Sequence, residues 1–312
     1  MQSEFKNIFS VIDLGTNTCL LLIASLSNGK PEKIFEAQEI PRLGKDLYIT
    51  GKISGESFKT TADIFSMYKS LSQSYGAGKI YAFGTSAMRD ASNSREFAAF
   101  IKSRTGIEIK IISGNDEARY SYEGAVYDLN GNKEYAVIDI GGGSTEISWK
   151  ESGILMNISF NAGSVRLYEN FFSNEYDIPL ITEESLQKAR NDIKKVFENY
   201  DGSMLKGKTL AGVAGTLTTL SALINGLKEF DENIIHKDVL KREDIINVLN
   251  KLLKMNNEER SGLGSYMKGR SDVIISGILI LLEIMNHFSL EEIIVSAKGL
   301  RYGLMLNLNE FN

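Results

Sequence analysis

The stretch Tyr135-Ala136-Val137-Ile138-Asp139-Ile140-Gly141-Gly142-Gly143-Ser144-Thr145-Glu146 decides how this chain is read. Ala136, Val137 and Ile138 form the short apolar run of a buried strand, Asp139 places a carboxylate at its end, and three glycines follow before two hydroxyl residues. Successive glycines allow left-handed backbone, so consecutive N–H groups can converge on one point as an anion nest, with Ser144 and Thr145 as further donors. Asp139 suits a hard cation beside a phosphate bound there, because magnesium takes carboxylate, water and phosphate oxygens. Taken alone, the run reads equally well as a glycine-rich hairpin.

The pattern occurs twice. Val11-Ile12-Asp13-Leu14-Gly15-Thr16-Asn17-Thr18 again sets an apolar run, a carboxylate, a glycine turn and hydroxyl or amide donors in that order. Two copies separated by roughly a domain's length suggest duplication of a unit rather than a repeat array. Two phosphate loops facing each other across a cleft are the expectation. Length and composition accommodate it, since 312 residues with 43% hydrophobic and 24% charged content suffice for two cores. A net charge of -5 gives no sign of a nucleic-acid or membrane partner. The single cysteine, Cys19, excludes an internal disulfide and reads as a small buried hydrophobe. With no export signal recognisable, a cytoplasmic location is expected.

Periodicity predicts strands from Asn7 to Leu26 around the Asp13 turn and a hairpin at Asn28-Gly29 into a third strand ending near Glu39. An amphipathic helix from Phe58 to Leu71 ends near Gly76-Ala77-Gly78, and a strand from Ile80 to Phe83 follows. Gly84 to Asp90 reads as a turn rich in small donors that carries Arg89, with Asn93 and Glu96 as the reciprocal cap of the next helix. A strand over Ile107 to Ile112 then turns at Ser113 into a helix through Val126. The second half follows a similar order, with strands within 146–160, a helix opened by Asn161 to Arg166, and a charged helix from Glu183 to Tyr200 capped by Thr182 after Pro179. Thr209 to Val213 is a strand leading through Gly215 and Thr216 into a helix. Val239 to Met255 reads as helix. Gly269 to Asp272 caps a buried helix from Val273 to Phe288, and a last strand from Ile293 precedes a terminal helix.

The blocks Asp13 to Thr18, Gly84 to Ala91, Ile112 to Arg119, Asp139 to Glu146 and Gly215-Thr216 together resemble the exopolyphosphatase / guanosine pentaphosphate phosphatase (Ppx/GppA) family in its short two-domain form. The resemblance implies a duplicated actin-like (ribonuclease H-like) α/β fold shared with sugar kinases, with domains 1–124 and 125–312 around a phosphate cleft. The terminal helix 299–312 could pack back on the first domain. It also implies a magnesium-dependent enzyme that releases terminal phosphate from polyphosphate or guanosine pentaphosphate.

In the family's roles Glu117 is the base that activates the attacking water. Asp139, with Asp13 through water, holds magnesium, and Glu146 either joins the metal site or orients the water. Gly15, Thr16, Asn17, Thr18, Gly141, Gly142, Gly143, Ser144 and Thr145 cradle phosphates, and Arg89 clamps one more. Gly215 and Thr216 are weaker candidates, because close strand-to-helix packing needs small residues equally well. Taken alone, Arg89 reads as a surface arginine and Glu117 as an exposed acid in a helix's first turn. Tyr302 stands where many members have glutamate. His236 reads either as a family histidine or as a structural one. A homodimer rests on the resemblance only. A kinase and a nucleotide-gated binding protein on the same fold stay open as alternatives.

Overall fold

The computed structural model describes residues 8–129, 131–173 and 181–311. Asn7 and Pro179, which entered the sequence reading above, lie outside them. The chain divides into two compact units, one running to Gly124 and resuming at Leu300, the other spanning Ala125–Gly299.

The first unit holds β1 (Ile8–Leu14), β2 (Cys19–Ser27), β3 (Lys30–Glu39), β4 (Lys79–Gly84) and β5 (Ile109–Ile111) in the spatial order β3-β2-β1-β4-β5. Short turns make β1, β2 and β3 an antiparallel meander, while helical crossovers return β4 and β5 parallel to β1. Its helices are α1 (Leu47–Thr50), α2 (Gly55–Ser74), α3 (Ser86–Asp90), α4 (Ser94–Thr105) and α5 (Gly114–Val126). Ile12, Leu21 and Ile23 pack with Phe65 and Tyr68 of α2 and with Phe97 and Ile101 of α4. Cys19 sits fully buried in this core, and burial pushes its thiol well above the usual range. Asn93 occupies the start of α4 as expected, yet its side chain makes no cap. It bridges the Ile53 N–H and carbonyl, at 2.9 Å each, because pairing a distant backbone N–H and C=O satisfies more polar groups than one helix end offers. The stretch read as a turn around Arg89 is the short helix α3.

The second unit holds β6 (Tyr135–Ile140), β7 (Thr145–Glu151), β8 (Ile154–Phe160), β9 (Thr209–Val213), β10 (Val239–Lys241) and β11 (Glu292–Val295), ordered β10-β11-β9-β6-β7-β8. Reading outward from β6, this is again a three-stranded antiparallel meander on one side and parallel strands on the other. Residues 239–241, expected as helix, instead form β10 against β11, and the helix proper is Arg242–Leu253. The other helices used below are α6 (Ser164–Phe171), α7 (Glu183–Phe197), α8 (Ala214–Ile224) and, near the unit's end, α9 (Ile274–His287). Thr182 and Ser185 form the capping box of α7. α9 is buried from Ile274 through Met285. Its one carboxylate, Glu283, is neutralised by Arg190 of α7 at 2.5 Å. The N-cap position of α9 is Val273, which makes no side-chain cap, and the Asp272 carboxylate accepts the adjacent Val273 N–H at 3.1 Å. No helix among the described residues is long and apolar enough to cross a membrane.

The C-terminal helix Leu300–Leu306 packs on β1, β2 and β3. The segment after it is fastened by a bidentate pair from Arg119 to Glu310, at 3.0 and 2.6 Å, with Tyr120 donating to the same carboxylate at 2.7 Å. These bonds hold the Glu310 carboxyl down to about 2. A depressed carboxylate stabilises the fold above its unfolded value of about 4.3, and the effect is lost as pH falls through the folded value. Replacing Glu310 by Gln should therefore destabilise the fold at pH 7 by less than about 1 kcal/mol, because the pair is solvent-exposed, and lower the thermal midpoint accordingly. The difference from the native protein should vanish as pH falls toward 2 in paired thermal melts.

Candidate functional site

In the second unit β6 and β7 pair up to Ile140 and Thr145, leaving a turn of residues 141–144 closed by the Gly141 N–H to the Ser144 carbonyl at 2.9 Å. Gly141 does not take the left-handed conformation that the glycine run permits. Anion-binding geometry arises differently. The start of α6 donates to the loop: the Ser164 N–H to the Gly141 carbonyl at 2.9 Å, the Val165 N–H to Gly142 at 2.8 Å, and the Arg166 side-chain Nε to Gly143 at 2.9 Å. In a trans peptide the next N–H points opposite to the carbonyl. The N–H groups of Gly142, Gly143 and Ser144 are therefore all turned away from α6, toward one side of the loop. Gly163 makes the approach feasible, since a Cβ there would lie 2.4 Å from the Gly142 carbonyl oxygen. Thr145 does not face an anion; its hydroxyl donates to the Ala162 carbonyl at 2.5 Å and it is fully buried.

The first unit builds its loop by the same means. Gly15 N–H closes on the Thr18 carbonyl at 2.8 Å, and the carbonyls of Thr16 and Asn17 accept from Gly44 at 2.7 Å and Arg42 at 3.2 Å. The peptides of Asn17 and Thr18 thus present their N–H groups on the opposite side. A Cβ on Gly44 would come within 2.2 Å of the Thr16 methyl. Asp13 and Asp139 occupy the same position, one residue before the strand end, and each is 9% exposed.

Arg89 and Glu117 come into direct contact. Ser113 Oγ accepts from the Asp116 N–H at 3.1 Å and fixes the start of α5, placing Glu117 in its first turn. Arg89 Nη1 reaches the Glu117 carboxylate at 2.5 Å and the Ile112 carbonyl at 3.1 Å. Glu117 is 8% exposed, not the surface acid that its helix position alone suggests. Nη1 makes both bonds, so the Nη2–Nε edge of the guanidinium stays directed elsewhere, the edge that binds a phosphate in bidentate fashion. The turn 15–18, Arg89 and Glu117 all sit at the carboxyl ends of parallel strands, where open α/β sheets place ligands.

Among the described residues no three His, Cys, Asp or Glu side chains form a metal cage. Asp139 and Glu146 do stand directly opposite each other on β6 and β7, both buried, with Ser159 donating to Glu146 at 2.8 Å. Like charges so placed repel unless a cation neutralises them. An oxygen-only pair fits magnesium, which keeps most of its shell for water and phosphate oxygens. Asp13, by contrast, faces the apolar Leu20 across its strand pair.

Gly215 and Thr216 serve packing. Gly215 gives room to the Arg270 guanidinium, which burial pushes down to about 10, and Thr216 fills the space beside Gly277. His236 is structural: Nδ1 accepts the Ala297 N–H at 3.2 Å, so Nε2 carries the proton it shares with Asp128 at 3.0 Å. Tyr302 is buried and donates to Glu36 at 2.8 Å, so a carboxylate from β3 stands near Arg301.

The model of the Ppx/GppA phosphatase family matches residues 22–310. The chain belongs to that family. An Aquifex aeolicus family member of known structure is 30% identical, with a TM-score of 0.77 over 98% of this chain and 99% of the other. Exopolyphosphatase 2 of Mycobacterium tuberculosis is 30% identical over 96% of this chain and 98% of its own length. The bifunctional 3-dehydroquinate synthase/phosphatase of Fusobacterium nucleatum is 33% identical, and this chain spans 47% of its length. The fold is accordingly the α/β fold related to actin and sugar kinases.

Gly44 and Gly163 are the site residues that the sequence reading did not single out, although Gly163 follows a strand end and opens a helix. Gly163→Ala should cost about 1 to 3 kcal/mol, since its neighbours are backbone atoms that cannot rotate aside. Gly55→Ala, with open space around it, should be close to neutral. Urea unfolding midpoints of the two variants check the contrast.

Proposed function

We propose that this protein of the Ppx/GppA family is a magnesium-dependent phosphohydrolase that removes the terminal phosphate of inorganic polyphosphate or guanosine pentaphosphate. The observation that carries it is the Arg89–Glu117 pair at the same strand ends as the 15–18 turn, whose N–H groups are turned outward, because it would join a base to an anion clamp. Glu117 would take a proton from water as the water oxygen bonds to the terminal phosphorus. The bridging P–O bond breaks, giving orthophosphate and a chain one phosphate shorter. Phosphoryl transfer depends mainly on positioning and charge neutralisation, which the remaining residues supply.

In this reading the N–H groups of Gly142, Gly143 and Ser144, and those of Asn17 and Thr18, bind phosphate oxygens, with Gly15 and Gly141 closing the turns. Arg89 orients Glu117 through Nη1 and offers its other edge to a phosphate. Asp139 and Glu146 would hold magnesium; bound there, the metal would neutralise charge on phosphate oxygens. Asp13 is the equivalent carboxylate of the first unit's loop and a further candidate for holding the metal through water. Thr145, Gly215 and Thr216 act by packing. Duplication of one ancestral unit, with a boundary near Gly124, is supported by the shared strand order and the two Val-Ile-Asp turns.

Glu117→Gln should lower phosphate release from tripolyphosphate by about 10² to 10⁴-fold at unchanged secondary structure. Chelation should stop the native enzyme, and added magnesium should restore it. Equal release by native and Glu117→Gln protein would refute the assignment of the base. Asp139→Asn should raise the magnesium concentration needed for half-maximal rate, measured by metal titration of the same assay.

A further inference from the structure

Gly303 lies in the middle of the C-terminal helix, a place where glycine is less favourable than alanine. A close approach of backbones accounts for it, since a Cβ there would lie 1.8 Å from the Tyr120 carbonyl oxygen and 2.8 Å from the Tyr120 Cα. The C-terminal helix and α5 are thus seated main chain on main chain. The helix is held from below: Leu304 and Met305 are fully buried, it packs on β1, β2 and β3, and buried Tyr302 donates to Glu36 of β3. α5 is fastened onto it by side chains. Asn307 Nδ2 donates to the Gly303 carbonyl at 2.8 Å and to Glu123 at 2.6 Å, Glu310 takes Arg119 and Tyr120, and the Phe311 and Tyr120 rings meet at 5.8 Å between centres. Tyr120 is three residues beyond Glu117, on the same face of α5. The seat therefore lies about 4.5 Å along the helix axis from the carboxylate that meets Arg89.

We propose that Gly303 is a positioning residue for hydrolysis: its bare α-carbon lets α5 settle on the C-terminal helix at the height that brings Glu117 to Arg89. Its effect on rate rests on the phosphohydrolase reading; its effect on the Arg89–Glu117 pair does not. A methyl at Gly303 reaches ordinary contact with the Tyr120 carbonyl only after the two backbones separate by about 1 Å or more. The C-terminal helix is wedged on three strands, so α5 is the partner that moves. Arg89 belongs to α3, which follows β4, and does not travel with α5. A shift of about 1 Å is enough to lengthen their contact past hydrogen-bond range and to misplace a base against its water. Gly303 touches no reacting atom in this account; it acts through Glu117.

The test is a double-substitution cycle on the full chain, comparing native, Gly303→Ala, Glu117→Gln and the combined variant for kcat and KM with tripolyphosphate, each corrected for folded fraction. Gly303→Ala should lower kcat by about 10-fold to 10²-fold while KM changes by less than about twofold. In the Glu117→Gln protein the same substitution should leave the residual rate unchanged, because the group it misplaces is already gone. Equal loss in both backgrounds is what a packing role alone gives, and it overturns the proposal. Asn307→Ala/Glu310→Gln loosens the same seat without overpacking it, and serves where Gly303→Ala fails to fold; a loss of about threefold to tenfold confined to the Glu117 background is expected. No loss, or the same loss in both backgrounds, overturns the proposal here too. The crystal structure of the Gly303→Ala protein reads the seat without turnover. Arg89 and Glu117 separated beyond about 3.5 Å are expected, and a pair still in contact at 2.5 Å overturns the proposal. Equal release by native and Glu117→Gln protein would count against the base instead, and the crystal structure would still decide the seat.

Discussion

Peptide planarity is the constraint on which the rest of the site depends. Once the Gly141, Gly142 and Gly143 carbonyls are bonded to the start of α6, the following N–H groups have one direction left. A helix N-terminus ordinarily offers its own N–H groups to an anion. Here α6 uses them on the loop, so the loop becomes the donor surface. The arrangement needs a bare α-carbon at Gly163, just as the first loop needs one at Gly44. Two loops from one sequence pattern thus rely on supports that share no sequence: a helix start in the second unit, and the irregular segment Arg42–Gly44 in the first.

The second organising contact is between Arg89 and Glu117. A buried carboxylate needs a partner to stay charged, and a base for water must be charged. Arg89 meets the need through one nitrogen, bracing itself on the Ile112 carbonyl. In the proposed mechanism, orientation of the base and recognition of the anion would thereby be given to one side chain. Loss of Arg89 would affect both. At Asp139 and Glu146 the logic is inverted: two buried carboxylates are set opposite each other where a cation is the natural complement.

Features legible in the sequence were local ones. The Asn28-Gly29 hairpin, the two Val-Ile-Asp turns, the Thr182 cap and the buried helix following Asp272 each follow from residues within a few positions of one another. Features missed were set by distant partners. Residues 239–241 are a strand because Ile293 and Ile294 lie beside them, which helical periodicity in the following residues conceals. Asn93 turns to Ile53, 40 residues away, instead of capping its own helix. The glycine run promised left-handed backbone, whereas Gly141 closes a hairpin and a different glycine, Gly163, supplies the close approach. Arg89 and Glu117 were each legible as candidates, but their contact across 28 residues was not.

Attack of water on the terminal phosphorus is the central claim, and oxygen-18 water tests it most directly. Tripolyphosphate turned over in labelled water with magnesium should give orthophosphate carrying one solvent oxygen per molecule released, with the shortened chain unlabelled. Label in the shortened chain, or transfer of the phosphoryl group to an acceptor other than water, would contradict the account.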